Sequence, residues 1–396
     1  MDPIWLLFLL PAAVGSGWFA AQRGLVPGRK TDSYHLPSAY FRGLNFLLNE
    51  QHDKAIEVFI KMLEVDTETV EMHLALGNLF RRRGEVERAT RIHQNLIARP
   101  NLDRQQHSQA LFELGQDYLK AGLLDRAESL FLELTEVTHH AEQALKHLLL
   151  IYEQEKEWEK CITAARKLTA VSKRDMSSVV AQYCCELAES ALTEGRYDRA
   201  GKFINRAFVA DRNCVRATIQ SGRLDSLRGN HTQAIRTWKR VEQQDPRFLG
   251  EVVDLISGSY RLADDKQGLQ DFLNDASEKH RDVKLALAFV DSIEMEEGVE
   301  PAEQFLVNWV RRHPSVHGLH RLIELKISQA DLPVRRDLEL LDSMIGEIVD
   351  REHRYECRQC GFAGRSLHWK CPGCKGWNTI VPLATRSPID PHLLAN

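Results

Sequence analysis

The chain has little proline, 13 in 396 residues, and few β-branched runs. Both scarcities disfavour a strand-rich fold, and the abundance of Leu, Ala, Glu, Arg and Lys favours helix. Neither sign of charge is in excess. A net charge of -4 excludes a chain that binds polyelectrolytes along its whole length. There is no Walker A loop, no dinucleotide fingerprint, no HExxH helix and no nucleophile elbow. His139 and His140 are adjacent, so on a helix their rings diverge by about 100° and do not share a metal. Both read as surface residues. Acids and bases are spread as surface charge, and these absences together argue against an enzyme. What is present is 43% hydrophobic and 27% charged residue content, which argues against global disorder. The length suits two or three domains or an extended repeat array.

Cysteine is present but uneven. Cys161, Cys184, Cys185 and Cys214 are scattered through helical patterns and read as small buried hydrophobes. Cys357, Cys360, Cys371 and Cys374 form two CxxC pairs in the segment YECRQCGFAGRSLHWKCPGCKGWNTIVP. Two such knuckles bring four thiolates into a tetrahedron around one metal ion, zinc or iron. Gly361 and Gly373 are expected to supply the permissive turn conformations. Four cysteines leave no open coordination position, so the site is structural rather than catalytic. His368 reads as a surface histidine. Trp369, Trp377 and Phe362 are expected to pack the module or dock it onto the last repeats. Arg354, Arg358, Arg365, Lys370 and Lys375 outnumber the single acid Glu356, which admits nucleic acid as a partner. The thiolate-metal cluster, at about -2, halves that surplus. The knuckles resemble rubredoxin-like modules and short zinc ribbons. The stretch between them is shorter than in a full rubredoxin, which argues against electron transfer.

At the N-terminus, residues 4–22 carry no charge and span about 28 Å as a helix, one hydrocarbon core. Trp5 and Trp18 lie near its ends, where aromatic rings prefer the interface. Arg23, Arg29 and Lys30 follow, which orients the N-terminus outward and the remainder into the cytoplasm. Residues 1–22 are therefore read as a transmembrane anchor and 23–35 as a linker. Ala13, Gly17, Ala20 and Ala21 form a small-residue face suited to another transmembrane helix.

A repeating frame follows. Gly43, Phe46, Ala55 and Phe59 recur as Gly77, Phe80, Ala89 and His93, and again as Gly115, Tyr118, Ala127 and Phe131. The frame continues through Tyr152 and Cys161, then Ala188 and Ala200, then Gly222 and Ala234. Steps at the Ala55 position are 34, 38, 34, 39 and 34 residues, and 34 is the tetratricopeptide period. Gly84, Gly122, Gly195 and Gly229 fall where a left-handed residue ends the first helix of each pair. The resemblance to tetratricopeptide repeats covers Leu36 to Pro246. Tyr260 with Leu269, and Ala302 with Pro314, mark two degenerate repeats. His317 to Gln329 and Val334 to Asp350 read as a closing helix pair that hides the last apolar face.

The fold class is thus all-α: a repeat superhelix over 36–350, an anchor before it, a four-cysteine module over 351–384 and a mobile tail over 385–396. In such repeats the first helix of each pair lines a groove for peptides or proteins. The groove positions are Leu74, Asn78, Arg81 and Arg82 in the second repeat, and Phe112, Gln116 and Lys120 in the third. A basic groove there suits an acidic segment or a C-terminal carboxylate.

Anchor, repeats and CxxCG/CPxC module together resemble the lipopolysaccharide assembly protein B family over essentially the whole chain. That resemblance implies a single-pass protein of the Gram-negative inner membrane, with a periplasmic N-terminus and cytoplasmic repeats and module. It implies an adaptor that promotes degradation of the committed lipid A deacetylase by the membrane-anchored AAA metalloprotease. A polytopic inner-membrane regulator opposes it. The alternatives are a scaffold assembling lipopolysaccharide synthesis or transport proteins and a nucleic-acid-binding scaffold. A homodimer is also compatible. The family's metal ligands map onto Cys357, Cys360, Cys371 and Cys374.

Overall fold

The computed structural model describes residues 38–49, 51, 54–58, 70–137 and 139–383. The anchor with Ala13, Gly17, Ala20 and Ala21, the frame residue Phe59 and the chain after 383 lie outside them. Among the described residues no helix is long and apolar enough to cross a membrane. The described residues fall into two compact units that part between Leu123 and Leu124.

The first unit contains α1 (Ser38–Leu48), a helical stretch over 54–58, α2 (Val70–Arg83), α3 (Val86–Ile97) and α4 (Arg104–Lys120). The start of α4 is set by a capping box. Asp103 accepts from the Gln106 amide at 2.7 Å, while the Gln106 side chain accepts from the Asp103 amide. Helix α2 stops at Gly84, whose φ of +88° is open to glycine at no steric cost. The Glu85 amide then donates to Phe80 O at 2.8 Å, closing a Schellman turn.

The second unit holds α5 (Leu124–Leu134), α6 (Ala141–Glu155), α7 (Trp158–Ser172), α8 (Ser177–Thr193), α9 (Tyr197–Ala210), α10 (Val215–Leu227) and α11 (His231–Lys239). A short α12 (Val241–Gln244) and a 3-10 turn (Pro246–Phe248) lead to α13 (Leu249–Leu262), α14 (Lys266–Lys279), α15 (Val283–Glu297), α16 (Val299–Arg312), α17 (Val316–Gln329) and α18 (Leu332–Arg351). The left-handed turn returns at Lys156, Gly195, Gly229 and Asp264, while Gly298, at φ +98° and ψ -179°, breaks the chain between α15 and α16 in a different conformation. Lys156 and Asp264 show that the turn persists where glycine is missing. The two degenerate repeats are therefore complete hairpins, α13/α14 and α15/α16.

The small-residue frame marks the core. Ala55, Ala89, Ala127, Cys161, Ala200, Ala234 and Ala302 are all fully buried, and Leu269 takes the same place in α14. The reason is steric. A Cβ added at Gly77 would lie 2.3 Å from His93 Nε2, and one at Gly222 would lie 2.4 Å from Trp238 Nε1. Each glycine lets a ring on the second helix lie flat against the first. The scattered Cys161, Cys184, Cys185 and Cys214 are buried free thiols, as expected of small apolar residues. The expectation of two surface histidines holds for His139 only. His140 caps α6, and its ring is buried.

The closing pair α17/α18 corrects another expectation. In α18 only Val349 is buried, while Leu340, Leu341, Met344 and Ile348 are exposed. The last helix carries apolar residues around more of its circumference than α17 covers, so among the described residues the array ends on an open apolar face. After α18 the chain forms β1 (Tyr355–Cys357), β2 (Ala363–Gly364) and β3 (Ile380–Pro382), an antiparallel sheet ordered β2-β1-β3. Tyr355 faces Gly364 on one side and Pro382 on the other, and Cys357 faces Ile380.

Candidate metal centre and its seat on the repeats

Each cysteine pair is presented by a tight knuckle. In the first, the Gly361 amide donates to Cys357 O at 2.9 Å and the Cys357 amide to Phe362 O at 2.7 Å. In the second, the Lys375 amide donates to Cys371 O at 3.0 Å and the Cys371 amide to Gly376 O at 2.9 Å. The residue after the second cysteine is left-handed in both: Gly361 at φ +73° and Lys375 at +61°. Gly373 is not left-handed, contrary to expectation. Its requirement is space, because a Cβ there would sit 3.3 Å from Cys360 Sγ.

The four sulfurs lie within 4.8 Å of one another. Cys357 and Cys374 Sγ are 3.7 Å apart, as are Cys360 and Cys371 Sγ. A tetrahedron with metal–sulfur bonds of about 2.3 Å has edges of about 3.8 Å, so the donor set fits one zinc or iron ion. Ionisation is prepared unevenly. Burial opposes it at Cys357, but the hydrogen bond with Thr379 and the Gln359 and Cys360 amides bring that thiol down to about 6. At Cys360 the Phe362 amide favours the thiolate, yet burial and three neighbouring sulfurs push it up to about 11. Four adjacent thiolates need a cation, and a bound metal supplies that charge. His368 is exposed and bonds Ser366 rather than joining the sulfurs.

The module does not sit at the end of the repeats. Its aromatic and basic side chains reach the first helices of five successive hairpins. On α6, Glu153 accepts from Lys370 Nζ at 2.7 Å and from Trp377 Nε1 at 2.8 Å. The Tyr183 hydroxyl of α8 donates to the same carboxylate at 2.5 Å. Trp377 packs edge-on against Tyr183 and Trp158, with centroids 5.5 and 6.1 Å away. Trp369 stacks on Phe248 at 5.6 Å, and Arg216 of α10 covers it while paired with Glu186 of α8. The Tyr355 hydroxyl donates to Glu251 of α13, which also binds Lys284 of α15 at 2.6 Å. Burial, then the nearby carboxylates, raises the Tyr183 and Tyr355 hydroxyls far above the ordinary tyrosine range. Phe362 instead packs inside the module. Lys370 is consumed by Glu153, which reduces the basic surplus offered to nucleic acid. Glu153 is half of this docking and had no signal in the sequence beyond its place on a first helix.

The groove candidates lie in the first unit. Arg81 donates to Asp117 Oδ1 at 2.8 Å, Glu113 Oε2 at 2.6 Å and Asn78 Oδ1 at 2.6 Å. Gln116 also reaches Glu113. Asp117 is fully buried and bonds the fully buried His93 at 2.5 Å. Asn78, Arg81 and Gln116 are thus joined in one network between α2 and α4. Phe112 is buried, Leu74 is half-buried, and Arg82 and Lys120 are exposed.

Residues 73–105 match the family described as Tetratricopeptide repeat. Residues 355–382 match the Rubredoxin metal binding domain. Lipopolysaccharide assembly protein B of Escherichia coli strain K12 is 36% identical over 379 residues, spanning 96% of this chain and 97% of its own. This chain belongs to the lipopolysaccharide assembly protein B family. The family member of Haemophilus influenzae is 33% identical over 391 residues, again across 96% of this chain and 98% of its own. Among solved structures, Pseudomonas aeruginosa pilF matches at 17% identity and a TM-score of 0.31, over 52% of this chain and 90% of that one. For a member of the lipopolysaccharide assembly protein B family, the four-cysteine centre is a tetrathiolate metal site.

Proposed function

We propose that this chain is a non-catalytic adaptor in the control of lipopolysaccharide assembly, tethered to the inner membrane by residues 1–22 with its repeats and metal module in the cytoplasm. The observation that supports this reading is family membership along 96% of the chain. The finer mechanism is delivery of the lipid A pathway deacetylase to the membrane-anchored AAA metalloprotease, opposed by a polytopic inner-membrane regulator. Tethering makes that encounter nearly intramolecular and raises the effective concentration of the substrate at the protease. Ala13, Gly17, Ala20 and Ala21 are the proposed face for a partner's transmembrane helix.

The metal module fills the first-helix face from Glu153 to Lys284, so an extended partner segment needs another surface. Asn78, Arg82, Gln116 and Lys120, around the Arg81 network of α2 and α4, are the proposed alternative; Phe112 is buried beneath them and is not part of that surface. Crosslinking in native membranes tests the reading. Recovery of the protease and the deacetylase supports it, and absence of both from a crosslinked, tethered chain overturns it.

A further inference from the structure

Helix α18 ends the array and, among the described residues, leaves a stripe without a partner. Leu340, Met344 and Ile348 are 63%, 59% and 56% exposed. They are four residues apart, so on a helix they form one row. Leu341 and Val334 widen it toward the array, and both are exposed. Two charges lie within the same row, Asp337 and Arg351, and both are exposed. At 3.6 residues per turn, these five side chains from Asp337 to Arg351 occupy a strip only about 80° wide.

The order of residues in the strip is self-complementary. Asp337 stands seven positions before Met344 and Arg351 seven after it. Leu340 and Ile348 stand four before and four after it. When a second copy of the helix is laid antiparallel across a two-fold axis at Met344, each Leu340 meets the other copy's Ile348 and Met344 meets Met344. Each Asp337 then meets the other copy's Arg351, about 10 Å on either side of the axis. An isologous interface requires this reciprocity. In a parallel pairing Asp337 would face Asp337 and Arg351 would face Arg351, which is repulsive. Among the described residues, Arg351 has only an exposed pair with Glu347 at 3.3 Å, which holds it weakly.

We propose that α18 is a homodimer interface, formed by antiparallel packing of its exposed stripe on the same stripe of a second chain about a two-fold axis at Met344. The occupant is a second copy because the two charges inside the apolar stripe are opposite in sign and symmetric about its centre.

The test is sedimentation of the purified full chain across the micromolar range. Wild type is expected to be a dimer that dissociates on dilution. Met344→Asp is expected to be monomeric, with unchanged helix content and bound metal, because the residue is exposed. Asp337→Arg and Arg351→Asp each replace two attractive contacts with two repulsive ones and should weaken the dimer about tenfold. The double variant should recover near-wild-type affinity; in a parallel arrangement, where like charges already face each other, the single variants would not weaken the dimer at all. Met344→Cys should form a disulfide-linked dimer under mild oxidation beyond any wild-type background. A wild-type monomer throughout the range overturns the proposal, as does a dimer that persists in Met344→Asp. So does a monomer whose stripe becomes open to labelling only after residues 384–396 are removed, since the tail would then cover it.

Discussion

Two carboxylate clusters in this protein look alike and arise differently. Asp117, with Glu113, gathers Arg81 and His93 from helices within 36 residues along the chain. Glu153 gathers Tyr183 from the next hairpin, but also Lys370 and Trp377 from 217 and 224 residues away. In both, a carboxylate removed from water is held by a cation and a ring donor, which is how such a charge becomes tolerable. The first cluster stitches neighbouring repeats together. The second seats a separate module across many repeats. A repeat array has contacts mainly between neighbours, and the Glu153 cluster adds a long-range restraint to it.

The largest expected effect concerns the module itself. Cys371→Ser should abolish metal binding and unfold residues 355–382, since the binding free energy of such sites, on the order of 10 kcal/mol, is also their folding free energy. Bound metal per chain and protease resistance measure this, and retention of both would show that the sheet and the Trp seats suffice without the ion. Next comes Asp117→Ala, which strands Arg81 and His93 and should cost the first unit about 3–5 kcal/mol, seen in the denaturant midpoint.

Glu153→Ala should cost less, about 2 kcal/mol, because Lys370 keeps partial access to water. Its signature is different: the metal stays bound while protease cleavage between the module and α18 accelerates. If Asp117→Ala and Glu153→Ala were equally costly, the distinction between local stitch and long-range seat would fail. The smallest effect belongs to the exposed pair of Glu159 and Arg206, 2.6 Å apart. After solvent screening, Arg206→Ala should cost no more than about 0.5 kcal/mol. The Arg206 hydrogen bond holds the Glu159 carboxyl below its ordinary value of 4.5. Its contribution is therefore present above pH 4.5 and is lost as pH falls through the lower folded value. A stability difference between wild type and Arg206→Ala that grows on acidification would contradict that sign.

The repeats were legible because their determinant is steric and periodic. Only a small residue fits where helices cross closely, so Ala89, Ala200 and Ala234 announce themselves. Legibility faded where chemistry allows substitutes. Leu269 holds an alanine position by burial alone, and Asp264 adopts a left-handed turn that glycine would take without strain. Lys375 does the same in the second knuckle, which hid the true role of Gly373. His140 was misread because burial of a capping residue depends on its neighbours in space.

The four thiolates needed nothing beyond their spacing, since two CxxC knuckles and one divalent ion define a closed tetrahedron. Helical periodicity likewise required no tertiary information, because 3.6 residues per turn writes itself into the order of apolar residues. The place where the module sits was decided only by the fold. Glu153, Tyr183, Phe248 and Glu251 acquire their meaning from Lys370, Trp377, Trp369 and Tyr355, and no local rule links positions 217 residues apart. The open face of α18 was decided in the same way. Periodicity shows that Leu340, Met344 and Ile348 share a row, but only packing against α17 determines which row is covered and which faces water.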